Sequence, residues 1–136
     1  MEDAVALMSL DLASMRRIQK LAPQLAVGYL SSVGLGDLSR LDLDFLAVSS
    51  GVASAPLLRN AGKKGLSVYV WTVNDADAML DMMELGVDGL ITDDSALAVE
   101  VIRNVQALLP AERLLLRFRH FWDPFENRNT GEERRP

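Results

Sequence analysis

Short apolar runs alternate along the chain with segments whose apolar residues recur every three or four positions. That is the pattern of strand–helix repeats in a mostly parallel sheet. Residues 4–9 predict a buried strand. Asp11 stands where a helix N-cap belongs, followed by Leu12, Met15, Ile18 and Leu21 at three-residue spacing, with Arg16, Arg17 and Lys20 on the other face and Pro23 closing the helix. Residues 24–30 (QLAVGYL) predict a second strand, and residues 31–40, with Gly34 and Gly36, a loop or weak helical turn. Residues 44–49 (DFLAVS) predict a third strand. Ser54 and Pro56 begin a helix carrying Leu57, Leu58 and Ala61, which the basic pair Lys63 and Lys64 and then Gly65 bring to an end. Residues 66–73 (LSVYVWTV) make the strongest strand, rich in β-branched and aromatic side chains. Asn74 is the expected cap of the next helix, with Asp75 and Asp77 in its first turn, Met79, Leu80 and Met83 facing inward, and Gly86 as its stop. Residues 87–92 predict a fifth strand, and Asp94 a cap for a last helix with Leu97, Val101, Ile102, Val105 and Leu108 as its apolar stripe. Beyond Pro110, the segment ERLLLRF reads as further helical turns and residues 123–136 as a disordered tail. The class is α/β, with five strands forming either an open sheet or part of a barrel.

Length sharpens that choice. A complete (β/α)8 barrel takes about 250 residues, so a chain of 136 supplies five of the eight units. Composition is that of a globular domain, 49% apolar and 24% charged, and no apolar run approaches a membrane span. With no cysteine and one histidine, His120, thiol catalysis and multi-histidine metal sites within one chain are excluded. The net charge of −5 argues against nucleic acid as a partner. From residue 111 onward six Arg face five acidic residues, whereas the first 110 residues hold eight basic against fourteen acidic ones. Residues 1–110 are therefore expected to form the folded domain, and 111–136 a terminal helical extension and tail. No basic, apolar leader opens the sequence, so a chain complete as given is expected in the cytoplasm.

Three blocks carry a family resemblance: MSLDLASMRRIQKLAPQLAVGYL, LDLDFLAVSS, and GLSVYVWTVNDADAMLDMMELGVDGLITDDSALA. The last is the specific one, a strand ending W-T-V-N, a short helix, then G-V-D-G-L-I-T-D. In order and spacing the blocks resemble the C-terminal portion of a glycerophosphodiester phosphodiesterase domain, a (β/α)8 barrel, over about residues 5–99. The resemblance implies hydrolysis of glycerophosphodiesters to glycerol 3-phosphate and an alcohol, assisted by a divalent cation, Ca²⁺ or Mg²⁺. In that family an H-R-G, an E-x-D, a second histidine and an E-x-K carry the chemistry, the carboxylates holding the hard cation. None of these motifs occurs in this sequence, and only three residues precede Ala4. Some relatives carry a membrane region ahead of the barrel, which would make such a protein membrane-associated.

What transfers residue by residue is limited. Trp71 matches the aromatic residue lining the family's glycerol pocket and is the one substrate-binding candidate; the alternative is a core tryptophan. Ser9 precedes Leu10 where relatives often have Phe, and Asp94 precedes Ser95 where Pro is common. Thr92 and Asp93 fall at the C-terminal end of the last strand, the edge where barrel active sites sit. Asp42 with Asp44, or Asp93 with Asp94, read as caps rather than metal ligands. His120 reads as a surface residue and not the catalytic histidine. The stretch from Leu114 to Trp122 reads as a terminal helix, with a membrane or partner contact as the alternative. Met79, Met82 and Met83 read as helix packing.

No catalytic or metal-ligating residue is thus assigned. Three functional accounts remain: the C-terminal part of an active enzyme, a shortened inactive relative, or a half-barrel that associates with another chain or binds a glycerol-phosphate-like ligand. The chain alone is expected to be inactive, and to self-associate through its open barrel edges.

Overall fold

The computed structural model of the chain describes residues 5–33, 37–108 and Ala111. Among these, strands and helices alternate as β1 (Ala6–Ser9), α1 (Leu12–Leu21), β2 (Ala26–Ser31), a 3-10 turn (Leu38–Arg40), β3 (Phe45–Ser49), α2 (Ala55–Gly62), β4 (Ser67–Trp71), α3 (Ala76–Leu85), β5 (Gly89–Leu90) and α4 (Ser95–Ala107). The chain divides within α4 into two compact units, Met1–Val101 and Ile102–Pro136. The first contains the entire sheet. In the second, the described residues complete α4, and the N–H of Leu108 returns to the carbonyl of Val105 at 3.3 Å. The ERLLLRF segment, His120 and the tail lie outside the described residues, as do Gly34 and Gly36.

Every strand pairs in parallel with its sequence neighbour, giving the order β1-β2-β3-β4-β5. Five successive βα units of a (β/α)8 barrel have this arrangement. Registers align Met8 with Gly28, Gly28 with Phe45 and Phe45 with Ser67, and further along they align Ala47 with Tyr69 and Tyr69 with Gly89. Side chains alternate across a strand, so these residues share one face of the sheet. The opposite face carries Val27, Leu46, Val48, Val68 and Val70, all buried, and the helices cover it. Ala61 of α2, Met79 of α3 and Ala98 and Val101 of α4 join Leu46, Val48, Val68 and Val70 in one apolar cluster. Met15 of α1 joins Val27 and Leu43 in a second. Met82 and Met83 pack against the larger cluster, so the α3 methionines are core filler.

The helix ends follow from local chemistry. The Asp11 carboxylate accepts the Ala13 N–H (3.1 Å) and the Ser14 hydroxyl, starting α1 as its sequence predicts. Gly86 ends α3 at φ +88°, a conformation that side chains with a Cβ rarely adopt. Ser54 precedes α2 without a side-chain cap, and Pro56 in the first turn supplies the start signal. Two expectations of burial fail: β1, read as a buried strand, is the exposed edge of the described sheet with Met8 47% exposed, and Leu21 of α1 is 75% exposed. Three-residue steps fall about 60° short of a full turn each, so the fourth residue of such a series lies roughly opposite the first. β5 is shorter than the predicted run, although the N–H of Ile91 still reaches the Val70 carbonyl at 2.8 Å.

Two aspartates pin the start of the sheet in the same way. Asp44, just before β3, accepts the Val27 N–H of β2 at 2.7 Å and donates its own N–H to the Val27 carbonyl at 3.0 Å. Asp88, just before β5, does the same to Val68 of β4, at 2.7 Å and 2.9 Å. Each carboxylate satisfies a backbone donor at the end of a ladder, where the register starts.

On the helix-free face two aromatic rings replace methyl-bearing neighbours. Phe45 and Tyr69 meet edge to face, with ring centroids 5.4 Å apart and planes at 89°. A Cβ at Gly28 would overlap the Phe45 ring, and one at Gly89 would lie 2.6 Å from Tyr69 Cδ1. The glycines are therefore required by the close approach of the rings. Gly28→Ala is expected to destabilise the chain by about 1–3 kcal/mol through overpacking. Combining it with Phe45→Leu should restore part of the loss in urea unfolding, since Leu vacates the space the ring occupies.

Acid titration supplies a second test. The Ser14 hydroxyl, then the Ala13 N–H, hold the Asp11 carboxyl below its ordinary value, and the Ser39 hydroxyl together with Arg40 does the same for Asp37. A lowered carboxyl adds stability above its unfolded-state value, and that stability is lost as pH falls through the folded-state value. Ser14→Ala should move the Asp11 titration midpoint, followed by carboxyl NMR, upward toward the ordinary carboxylate value.

Candidate functional site

Because all strands run parallel, their C-terminal ends share one edge: Ser9, Ser31, Ser49, Trp71 and, past β5, Thr92. Barrel chemistry is built on this edge, from the loops that follow the strands. Ser31 is buried and donates its hydroxyl to the Val33 carbonyl at 2.8 Å, and the Ser49 hydroxyl reaches the Ser32 carbonyl at 3.4 Å. These two serines hold the β2 exit to backbone and are occupied in doing so.

Trp71 is the last residue of β4, paired in register with Ser49, and half-buried. Its indole Nε1–H donates to the Ala47 carbonyl of β3 at 3.0 Å, which lays the side chain across the neighbouring strand. The polar handle of the ring is thereby satisfied, and what remains for a ligand is the apolar π surface. Such a surface suits the carbon side of a small polyol better than a phosphate. The Trp71–Thr72 peptide is cis.

Three of the four residues after β4 are tied in different directions. Val73 is buried, and its N–H donates to the Ile91 carbonyl at 3.0 Å. The cap of α3 is Asp75, not Asn74: the Asp75 carboxylate accepts the Ala78 N–H at 2.8 Å, the reach an N-cap makes to the first turn. Asn74, one residue earlier, is freed to bridge to the turn after β5. Its Oδ1 accepts the Asp93 N–H at 2.9 Å and the Thr92 hydroxyl at 3.1 Å, while its Nδ2 donates to Asp93 Oδ2 at 2.8 Å. Thr92 Oγ1 in turn accepts the Asp94 N–H at 3.0 Å, and Asp94 caps α4 through the Leu97 N–H at 2.9 Å. Sequence reading picks out each of these residues but misses the bridge. Its only trace is the recurrence of W-T-V-N and L-I-T-D-D at the ends of neighbouring strands.

The carboxylates do not assemble a cation site. Asp44 binds Val27 at the opposite edge of the sheet, Asp94 is a helix cap, and Asp93 is engaged by Asn74. Among the described residues no three His, Asp or Glu side chains come together in a way that holds a metal ion. The residues present therefore do not fit a divalent cation on their own. Nor is any described helix long and apolar enough to cross a membrane.

Trp71→Phe keeps the ring but removes the donor to Ala47. It is expected to cost about 1 kcal/mol, read as a fall in Tm of the order of 4–8 °C for a domain of this size.

Comparison with known proteins bears on residues 1–97, which match the model of the glycerophosphoryl diester phosphodiesterase family. A glycerophosphodiester phosphodiesterase of Caldanaerobacter subterraneus subsp. tengcongensis is 31% identical over 107 residues, covering 76% of this chain and 44% of that protein. One from Arabidopsis thaliana is 33% identical over 88 residues, covering 60% of this chain and 27% of the other. Among solved structures, a glycerophosphodiester phosphodiesterase of Parabacteroides distasonis superposes with a TM-score of 0.61 at 25% identity, over 73% of this chain and 42% of that one. An Oleispira antarctica phosphodiesterase in complex with the product sn-glycerol-3-phosphate shares the fold, with a TM-score of 0.64 at 21% identity over 74% of this chain and 43% of the other. The chain thus spans less than half the length of each of these proteins. The W-T-V-N and G-V-D-G-L-I-T-D segments lie inside the matched region, and on that match the chain belongs to the glycerophosphoryl diester phosphodiesterase family.

Proposed function

We propose that this chain supplies five βα units, with the Trp71 wall of the ligand pocket, to a phosphodiesterase barrel that hydrolyses glycerophosphodiesters. The observation that carries the reading is the family match over residues 1–97, with Trp71 at the C-terminal edge of the sheet. The reaction breaks the phosphorus–oxygen bond to the alcohol and joins the phosphorus to a water oxygen, releasing glycerol 3-phosphate and the alcohol. The role of this chain is to hold the glycerol carbon skeleton against the Trp71 ring, whose N–H is fixed on Ala47. Its described residues assemble no cation site. That site belongs to the remaining units of the barrel, carried on the same polypeptide or on another. The bound product in the Oleispira antarctica relative supports glycerol 3-phosphate as the ligand class.

The free edge of β1 and the helix-free sheet face support a companion proposal about assembly. Met8 of β1 is 47% exposed and Leu10, just after it, 62%, on a strand whose outer edge has no partner among the described residues. Such edges pair with whatever strand is offered. In isolation the chain is expected to elute above its monomer mass of 14.9 kDa in size-exclusion chromatography with light scattering.

Activity is tested by comparing the chain alone with the chain combined with the N-terminal units of the Caldanaerobacter relative, using glycerophosphocholine and scoring choline release. Alone, no turnover is expected; in the combination, divalent-cation-dependent turnover. Trp71→Ala in the combination should raise KM by about tenfold or more, the scale of one lost apolar contact with the substrate. Turnover by the chain alone, or an unchanged KM in Trp71→Ala, would overturn the corresponding part of the proposal.

A further inference from the structure

The geometry points to Asn74 as a positioning residue, which fixes the Trp71 wall of the pocket by locking the β4–α3 loop to the turn between β5 and α4. This inference rests on the phosphodiesterase reading for its functional meaning, and on the described hydrogen bonds for its physical basis.

The side chain makes three hydrogen bonds, all to that one turn. Oδ1 accepts from the Thr92 hydroxyl and the Asp93 N–H, and Nδ2 donates to the Asp93 carboxylate. Only one orientation of the amide works: turned over, it would set Nδ2 against an N–H and Oδ1 against a carboxylate. The Thr92 hydroxyl is oriented too, because its oxygen accepts from Asp94 N–H and its proton is spent on Asn74. The bridge therefore runs through Thr92 and Asp94 to the first turn of α4, where Asp94 receives Leu97 N–H. Three residues before Asn74 lies Trp71, anchored on Ala47 by a single indole hydrogen bond. Between them, Val73 adds one backbone bond to Ile91. The buried Val73 side chain and the Asp75 cap also hold the loop, so what the Asn74 bridge adds is its tie to the turn after β5. Without it the Val73–Ile91 backbone bond is the one described hydrogen bond left between the two segments, and the loop beside Trp71 is more weakly held.

From the bridge follows the expectation that no single near-isostere replaces Asn74. Asp accepts both of the bonds that Oδ1 accepts but has no proton for Asp93, leaving two carboxylates in contact at a distance set by the present 2.8 Å bond. Leu makes none of the three bonds. Exchange of the two residues, by contrast, keeps every bond: an aspartate at 74 accepts from Thr92 and the residue-93 N–H, and an asparagine at 93 donates back to it. Charge is conserved in the exchange.

The test uses the full chain in a Trp122→Phe background, so that Trp71 is the only tryptophan. Acrylamide quenching reads the shielding of its ring. N74D should raise the quenching constant about twofold or more, and N74D/D93N should return it close to the parent value, the signature of a coupled pair in a double-mutant cycle. A merely stabilising Asn74 would lower the unfolding midpoint and leave native-state quenching unchanged, which overturns the inference. Failure of the exchanged pair to restore shielding overturns it as well. Where N74D does not fold, Asp93→Ala, which removes only the Nδ2 bond, is read in its place, and unchanged native-state quenching there overturns the inference. A functional arm uses the combined barrel and glycerophosphocholine. There N74D should raise KM more than it lowers kcat, with recovery in N74D/D93N; equal KM values for N74D and parent would remove the positioning role. If the parent combination itself shows no turnover, the phosphodiesterase reading fails while the quenching result still decides the clamp.

Discussion

Parallel pairing of each strand with its sequence neighbour is the constraint on which the rest of this structure depends. A parallel neighbour is reached only by a crossover, so each strand must be followed by a segment long enough to return to the other end of the sheet. Here those returns are α1 to α3 and the short 3-10 turn, with α4 leading away from β5. Strands in unbroken order with their helices packed on one face leave the other face without a helix among the described residues. They also bring all strand exits to a single edge, where Trp71, the proposed ligand surface, lies.

The two faces solve different packing problems. Under the helices, valine, leucine and methionine interdigitate in the ordinary way, with Leu46, Val48, Val70 and Met79 wholly buried. On the helix-free face the packing partners are neighbouring strands themselves. Phe45 lies over Gly28 and Tyr69 over Gly89, and the two rings meet edge to face. Large rings beside glycines fill an interior surface without requiring a covering layer, as the tapering inside of a barrel demands.

The edges of the sheet divide its polar chemistry in a similar way. At the entry edge Asp44 and Asp88 each receive one backbone N–H from the preceding strand, and their carboxylates are committed to register. At the exit edge Asp93 and Asp94 serve the loop bridge and the α4 cap. Four of the aspartates most easily taken for ligands are thus structural. Under the proposed function, the ligand-facing contribution of the five units is an aromatic surface, Trp71, and the loop that holds it. Under the same proposal, the charged groups that phosphodiester hydrolysis demands come from the other units of the barrel.

Strand and helix positions, the class of the fold and the family were legible in the sequence, because short apolar runs, helical apolar spacing and the W-T-V-N and G-V-D-G-L-I-T-D segments are local signals. The caps at Asp11 and Asp94 were legible for the same reason: a cap reaches its donor within three residues. Two kinds of feature were not. Leu21 looked apolar and in phase, but the helical angle carried it to the outside. Asn74 looked like a cap because asparagine before a helix often is one, yet its bonds go nineteen residues along the chain to Asp93. Likewise nothing in the order of residues says that Phe45 needs a glycine at 28, seventeen positions earlier. Such contacts depend on which strands become neighbours and in what register. Only the assembled sheet brings the partners together, so only the tertiary structure decides them.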